Sequence, residues 1–292
     1  MLRITDVRAV PGDAAFLLDD GETAVLYDTG FAFTGFAVAD NIEKVLGGRS
    51  LDYILLTHSH YDHAAGSAYI AKRFPKVRIA AAEYAGRIFA KPTARAAMRE
   101  LDRKAAAQNG VTDYPDHFDD LRVDIPVKEG DVLRCGKMEF TVIALPGHTK
   151  CSVGYYLASE KLLLSCETLG VYFGKGTYLP SCLVGYQMTL DSLERAKKLQ
   201  IDKLLLPHYG LSREPPAEYL KKAEAVCRAA AERMLSELRA GRTRDEIVDG
   251  FVADYHRPHV APVYPIDAFR LNTGIMAELI AAECMDQKER SG

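Results

Sequence analysis

Thr57-His58-Ser59-His60-Tyr61-Asp62-His63-Ala64-Ala65-Gly66 is the stretch on which the reading of this chain turns. It gathers His58, His60, Asp62 and His63 directly after Tyr53-Ile54-Leu55-Leu56-Thr57, a run apolar enough to form a buried strand. At a strand end the backbone is extended and alternate side chains point the same way, so His58 and His60 can address one ion. Asp62 and His63 follow once the chain turns, and can address a second. A single histidine is usually a surface or satisfied core residue. So many titratable groups on one loop are hard to justify by packing, because each is costly to bury without a partner. Imidazoles with carboxylates are instead the ligand set of divalent metals.

Outward from this loop, apolar runs at 14–18 and 23–28 flank Asp19-Asp20-Gly21-Glu22, a turn sequence that predicts a hairpin. Residues 40–46 read as a helix. Downstream, a helix is predicted from 64 to 74 and a strand over 77–81. Residues 83–108 are rich in Ala, Arg, Lys, Met and Leu, strong helix formers, and Asn109-Gly110 is a plausible stop; this predicts a helical insertion at about 83–110. Strands are expected at 132–133, 139–145, 153–157, 161–165 and 203–206, with a helix over 189–199. After Tyr209-Gly210 no strand-like run is seen and three helices can be written. The first carries the stripe Leu220, Ala223, Val226, Cys227, Ala230, Met234 and Leu238. The second opens on the capping-box pattern Thr243-Arg244-Asp245-Glu246, and the third starts near Pro265 and has Phe269, Met276, Leu279 and Ile280 on one face. The expected organisation is an α/β body over 1–210 and a C-terminal helical segment over 211–292.

Bulk properties limit the function classes. The 292 residues, 48% hydrophobic, are enough to bury a full core. A formal net charge of -3 without long runs of like charge argues against nucleic acid or an acidic membrane surface as partner. Met1-Leu2-Arg3-Ile4-Thr5-Asp6 lacks a basic segment followed by an apolar run, and no apolar stretch is long enough for a bilayer span; a cytoplasmic location is the expectation. Cysteines 135, 151, 166, 182, 227 and 284 form no C-x-x-C pair, which predicts reduced thiols rather than a disulfide framework or a zinc ribbon.

The intact T-H-x-H-x-D-H-x-x-G at 57–66 resembles the metallo-β-lactamase superfamily, and the resemblance runs over roughly residues 1–210. Further family motifs follow in the right order. Pro146-Gly147-His148-Thr149 implies His148 as the third histidine on the first metal, and Pro207-His208-Tyr209-Gly210 implies His208 as the last ligand on the second. Asp28-Thr29-Gly30 implies that Asp28 orients a ligand rather than binding metal. One position departs from the pattern. Where the family has Gly-Asp, this chain has Cys166-Glu167, so the implied bridging carboxylate is Glu167, one methylene longer. Cys166 reads as a buried small thiol, and His117, His256 and His259 as structural or surface residues. The implied fold is the αββα metallo-β-lactamase sandwich, with the helical insertion and a C-terminal helical cap walling a pocket over the metals.

The implied metal set is therefore His58, His60, Asp62, His63, His148, Glu167 and His208, holding two divalent ions; zinc suits the set, and iron or manganese would accept it. Two such ions lower the pKa of a shared water and offer hydroxide to a carbonyl. Asp62 is the candidate to orient that nucleophile and handle its proton, and Tyr209 a candidate donor to the developing oxyanion. In overall layout the chain is most similar to the alkylquinolone-signalling thioesterase and response branch, on His60-Tyr61-Asp62-His63, the Arg-rich stretch 95–104 and the stretch 271–279. That likeness implies a small-molecule thioester or ester substrate with an apolar or aromatic part. Glyoxalase II-like thioester hydrolases share the motifs but use C-terminal basic residues for the glutathione carboxylate, which are not evident here. A lactonase or β-lactam-type hydrolase is the alternative within the family. A binding or regulatory protein with a weakly active metal site is the alternative outside it, and the C-terminal helices leave a homodimer open.

Overall fold

The computed structural model describes residues 1–285; the end of the predicted C-terminal segment, 286–292, lies outside the described residues. One six-stranded sheet runs in chain order: β1 (Arg3–Asp6), β2 (Phe16–Asp19), β3 (Ala24–Tyr27), β4 (Tyr53–Leu55), β5 (Arg78–Ala82) and β6 (Ile125–Val127). Its first three strands are antiparallel and its last four parallel. The parallel connections carry α1 (Gly35–Leu46), then α2 (Tyr61–Ala64) with α3 (Gly66–Arg73), then α4 (Glu83–Phe89) and α5 (Pro92–Gln108).

The second sheet begins with the antiparallel strands β7 (Val132–Cys135), β8 (Met138–Ala144), β9 (Val153–Leu157) and β10 (Leu162–Leu164). A crossover holding the hairpin β11 (Val171–Tyr172) and β12 (Tyr178–Leu179) and the helix α6 (Tyr186–Lys197) leads to β13 (Lys203–Leu206), parallel to β10, and then to β14 (Gly210–Leu211) at the edge. Helices α7 (Pro216–Arg239), α8 (Arg244–Tyr255) and α9 (Ile266–Cys284) follow. Among the described residues no helix is long and apolar enough to cross a membrane.

The sheets pack face to face. Leu17, Val25, Leu26 and Ile54 from the first share one core with Phe140, Val142, Tyr155 and Leu164 from the second, and α1 and α3 close it on the outside. A separate core lies on the other face of the second sheet, where Ile143, Leu163, Leu204 and Leu206 meet α6, α7 and α9. This is the αββα sandwich. Two fully buried tyrosines tie the sheets together by polar tips: Tyr27 donates to the Ser165 carbonyl at 2.7 Å, and Tyr155 to the Leu56 carbonyl at 2.9 Å.

Several elements differ from the sequence expectation. The insertion is two helices, because Pro92 lacks an N–H and its ring would clash inside a helix; the chain breaks after Phe89 and restarts with Pro92 in the first turn of α5. The helix expected over 64–74 starts earlier, as the single turn α2, and breaks at Ala65. Strand β6 contains Pro126, tolerated because β6 is an edge strand. Beyond Tyr209, the short β14 is a strand where none was expected.

The ligand loop is held by a close backbone approach. A Cβ on Gly66 would sit 2.1 Å from the Thr29 carbonyl oxygen, so only glycine lets α3 start against the Asp28-Thr29-Gly30 turn. In that contact the Thr29 N–H and hydroxyl both donate to the His63 carbonyl, at 2.8 and 2.7 Å. The turn itself is strained, since Asp28 has a φ of 52°, in the left-handed region that a non-glycine residue rarely occupies.

Candidate metal centre

That strained backbone aims the Asp28 carboxylate at the ligand loop. Its Oδ1 accepts from the Thr57 N–H at 2.8 Å, and its Oδ2 accepts from the Thr57 hydroxyl at 2.9 Å and faces His63 Nδ1 at 2.9 Å. The proton positions follow from these contacts. A carboxylate only accepts, so His63 Nδ1 carries the proton. The Thr57 hydroxyl spends its hydrogen on Asp28, so it accepts from His58 Nδ1, 2.9 Å away. In its neutral form each imidazole is thereby left with an Nε2 lone pair; burial opposes charge on His63, but the Asp62 and Asp28 carboxylates outweigh it and hold His63 well above its ordinary pKa, so an ion bound there displaces a proton. Those two atoms, His58 Nε2 and His63 Nε2, are buried and have no hydrogen-bond partner among the described residues. A buried orphan lone pair is costly unless something electrophilic meets it.

His148 is fixed in the same sense. The Ser181 carbonyl lies 3.1 Å and the Ser181 hydroxyl 2.7 Å from its Nδ1, which turns Nε2 toward the cluster. His208 Nδ1 has a longer contact, 3.4 Å, with the Asp13 carbonyl. The seven predicted ligands come together as two groups: His58, His60, His148 and Glu167, and Asp62, His63 and His208, with the ligand atoms of each group within 4.8 Å of one another. Either group can hold a divalent ion. His60 faces His148 through Nδ1, 2.8 Å from His148 Nε2.

Glu167 stands between the groups, on a short 3-10 turn that follows β10. Its Oε2 lies 2.7 Å from His148 Nε2, 3.6 Å from His58 Nε2 and 3.7 Å from His63 Nε2, while Oε1 lies 3.5 Å from His208 Nε2. Asp62 Oδ2 is 3.7 and 3.8 Å from the Nε2 atoms of His63 and His208. Burial, reinforced by the neighbouring imidazoles, holds His58 well below its ordinary pKa and takes His60 down to about 3. Neutral imidazole is the form that binds metal. Burial also opposes charge on Glu167, but His148 and the other imidazoles outweigh it and keep the carboxyl well below its usual range.

Cys166 is fully buried in the second core, its thiol over the Leu145 carbonyl. His117 lies outside the site, edge-on to Phe36 and Tyr69. His256 bonds the Tyr264 carbonyl at 2.8 Å and His259 the Thr177 hydroxyl at 2.9 Å. Tyr209 is not brought to the site: its ring packs edge-on against Tyr172 with centroids 4.6 Å apart, outside the wall of the pocket. His208 and Tyr209 lie in the turn between β13 and β14, where the Tyr209 N–H donates to the Leu206 carbonyl and its ring goes to Tyr172 instead of the pocket.

The pocket is a cavity of about 350 Å³ with His60, Asp62, His148, Glu167 and His208 in its lining. Its other walls are mainly apolar: Phe31, Tyr61, Leu101 of α5, Phe173, Leu183 and Val184, then Val263, Tyr264, Pro265, Leu271 and Ile275 around the start of α9. No Lys or Arg is among the described residues that line it. Tyr264, Asn272 and Ser181 were not singled out from the sequence, which carries no local signal for them.

The Metallo-beta-lactamase superfamily profile matches residues 11–208, and this chain belongs to that superfamily. Among curated proteins it is similar to a hydroxyacylglutathione hydrolase of Bradyrhizobium sp. (strain ORS 278), 29% identical over 63% of this chain and 62% of the relative. It is also similar to one of Stenotrophomonas maltophilia (strain R551-3), 27% identical over 90% of this chain and 88% of the relative. The match to the first of these thus spans less than two thirds of the relative's length. Among solved structures it is similar to a metallo-beta-lactamase family protein from Thermus thermophilus, with a TM-score of 0.65, 19% identity and coverage of 97% of this chain and 93% of that one. A subclass B3 metallo-beta-lactamase of Bradyrhizobium japonicum aligns with a TM-score of 0.55 and 21% identity over 79% of this chain and 90% of that one. These structural likenesses concern the fold.

Proposed function

We propose that this chain is a two-metal hydrolase of carbonyl compounds, acting on thioesters or esters whose acyl part is apolar. The observation that carries this reading is the pair of buried Nε2 atoms on His58 and His63, without a hydrogen-bond partner among the described residues, one in each ligand group, joined by the Glu167 carboxylate beneath an apolar pocket. In this reading His58, His60 and His148 hold one ion, Asp62, His63 and His208 the other, and Glu167 reaches both. When bound, two divalent ions supply Lewis acidity and bring a water near neutral pKa; zinc suits these ligands best. Asp62 lines the pocket and serves to orient the attacking water and accept its proton. Phe31, Leu183, Val184 and Ile275 exclude bulk water and receive the acyl chain.

The curated relatives bear the name hydroxyacylglutathione hydrolase, which supports a thioester over a lactone or β-lactam. The pocket supports a different thiol partner from theirs. Its carboxylates are Asp62 and Glu167 and its remaining walls mainly apolar, a poor match for the carboxylates of glutathione and a good one for a neutral acyl thioester.

A substrate panel tests this. Zinc-loaded protein is expected to hydrolyse neutral acyl thioesters at least about tenfold faster, by kcat/KM, than glutathione thioesters, lactones or β-lactams. Turnover confined to lactones or β-lactams moves the substrate class. Stoichiometric metal with no turnover on any class favours a binding protein instead.

A further inference from the structure

The turn between α8 and α9 brings one more functional group into the pocket. Its backbone is fixed on both sides: the Tyr264 N–H donates to the Val260 carbonyl at 2.9 Å, and the Tyr264 carbonyl is bonded by His256 at 2.8 Å. The Tyr264 ring lies parallel to Phe173, with centroids 5.7 Å apart and planes 7° apart, and edge-on to Phe269 at 5.4 Å. A ring clamped by two aromatics has little freedom to reorient. Its hydroxyl accepts from Asn272 Nδ2 at 2.6 Å, and gives its own proton to no group among the described residues. Asn272 and Tyr264 both line the pocket that holds His60, Asp62, Glu167 and His208. Desolvation, and then the nearby Glu167 and Asp62 carboxylates, hold the phenol above its ordinary pKa, so at neutral pH it is a donor and not a base.

We propose that Tyr264 is a catalytic residue, whose O–H, oriented by Asn272, donates a hydrogen bond to the oxyanion that the substrate's carbonyl oxygen becomes. The inference rests on the hydrolase reading above. Water adds to the carbonyl carbon and its proton passes to Asp62. The oxyanion then collapses, the C–S bond breaks, and the departing thiolate takes the proton from Asp62. Tyr264 keeps its own proton throughout, so its contribution is electrostatic and greatest when the oxygen carries full charge. Asn272 is a positioning residue: it fills the lone pair on the phenol and leaves the proton free for substrate.

The test compares full-length zinc-loaded wild type, Tyr264→Phe and Asn272→Leu on the hexanoyl thioester of N-acetylcysteamine, together with hexanoate binding by calorimetry. Removing one oxyanion donor is expected to lower kcat by roughly 100-fold, with KM, zinc content and melting temperature close to wild type. Asn272→Leu should lower kcat less, with the same unchanged KM. Hexanoate, a product-like carboxylate, should bind Tyr264→Phe about tenfold more weakly, the order of one lost hydrogen bond. A kcat within twofold of wild type, or a loss of kcat that tracks loss of zinc, overturns the assignment. Equal hexanoate affinity in wild type and Tyr264→Phe overturns it too, even if the wild type hydrolyses nothing. Absence of wild-type turnover on every thioester and ester contradicts the hydrolase reading instead, and in that case hexanoate binding alone decides the hydrogen bond.

Discussion

Oε2 of Glu167 lies 2.7 Å from Nε2 of His148, the shortest approach between that carboxylate and the imidazoles around it. The other oxygen of the same carboxylate reaches the second ligand group at His208. One methylene longer than aspartate, the Glu167 side chain starts from a 3-10 turn and its carboxylate stands between the groups. Glu167→Ala is therefore expected to lose at least one metal ion per chain, measured by elemental analysis after dialysis. Unchanged metal content contradicts the bridging role.

The ligand loop was legible because its chemistry is local. His58, His60, Asp62 and His63 fall on one strand-end loop, and their spacing states their purpose. Glu167 was legible only by resemblance, as a carboxylate where the family has one. That the insertion and the C-terminal helices wall a pocket was legible only by resemblance, and its individual lining residues were not legible, because they are drawn from distant segments and Phe31, Leu101, Leu183 and Ile275 each look like ordinary core. Ser181 is 33 positions from the histidine it orients, so no local pattern links them. Tyr209 was singled out for its adjacency to His208, but in the turn between β13 and β14 its ring packs against Tyr172, and the tyrosines in the pocket wall are Tyr61 and Tyr264. In the fold, the central buried strands were readable from their apolar runs. Strand β1, with exposed Arg3 and Asp6 at its ends, and β6, with Pro126, were not.

Asp28 acts on the metal site through protons. Its carboxylate fixes the His63 tautomer directly and the His58 tautomer by way of Thr57. Asp28→Asn is expected to weaken metal binding by roughly 10–100-fold, the usual cost of losing such a partner, while the protein stays folded. Competition with a chelator measures this; wild-type affinity in the variant sinks the tautomer argument.

Asp102 links α5 to the pocket wall. Fully buried, it accepts from the Ala32 N–H at 2.7 Å and from the Tyr114 hydroxyl at 2.5 Å, beside Phe31. Desolvation outweighs these bonds and raises its pKa from 3.8 to about 6. A pKa raised on folding means that the folded state binds the proton more tightly. The resulting stabilisation is complete below pH 3.8 and is lost as pH rises through about 6. Relative to Asp102→Asn, which does not titrate, wild-type stability should fall across this window by up to about 3 kcal/mol. Urea unfolding of both proteins between pH 4.5 and 7.5 checks this, and a pH-independent difference would show that Asp102 does not titrate there.

The most direct test of the account is a zinc titration of metal-stripped protein, following hydrolysis of a neutral acyl thioester. The ligand groups around His58 and His63, joined by Glu167, predict that activity rises to a break at two zinc ions per chain. Full activity at one ion, or none at any ratio, would contradict it.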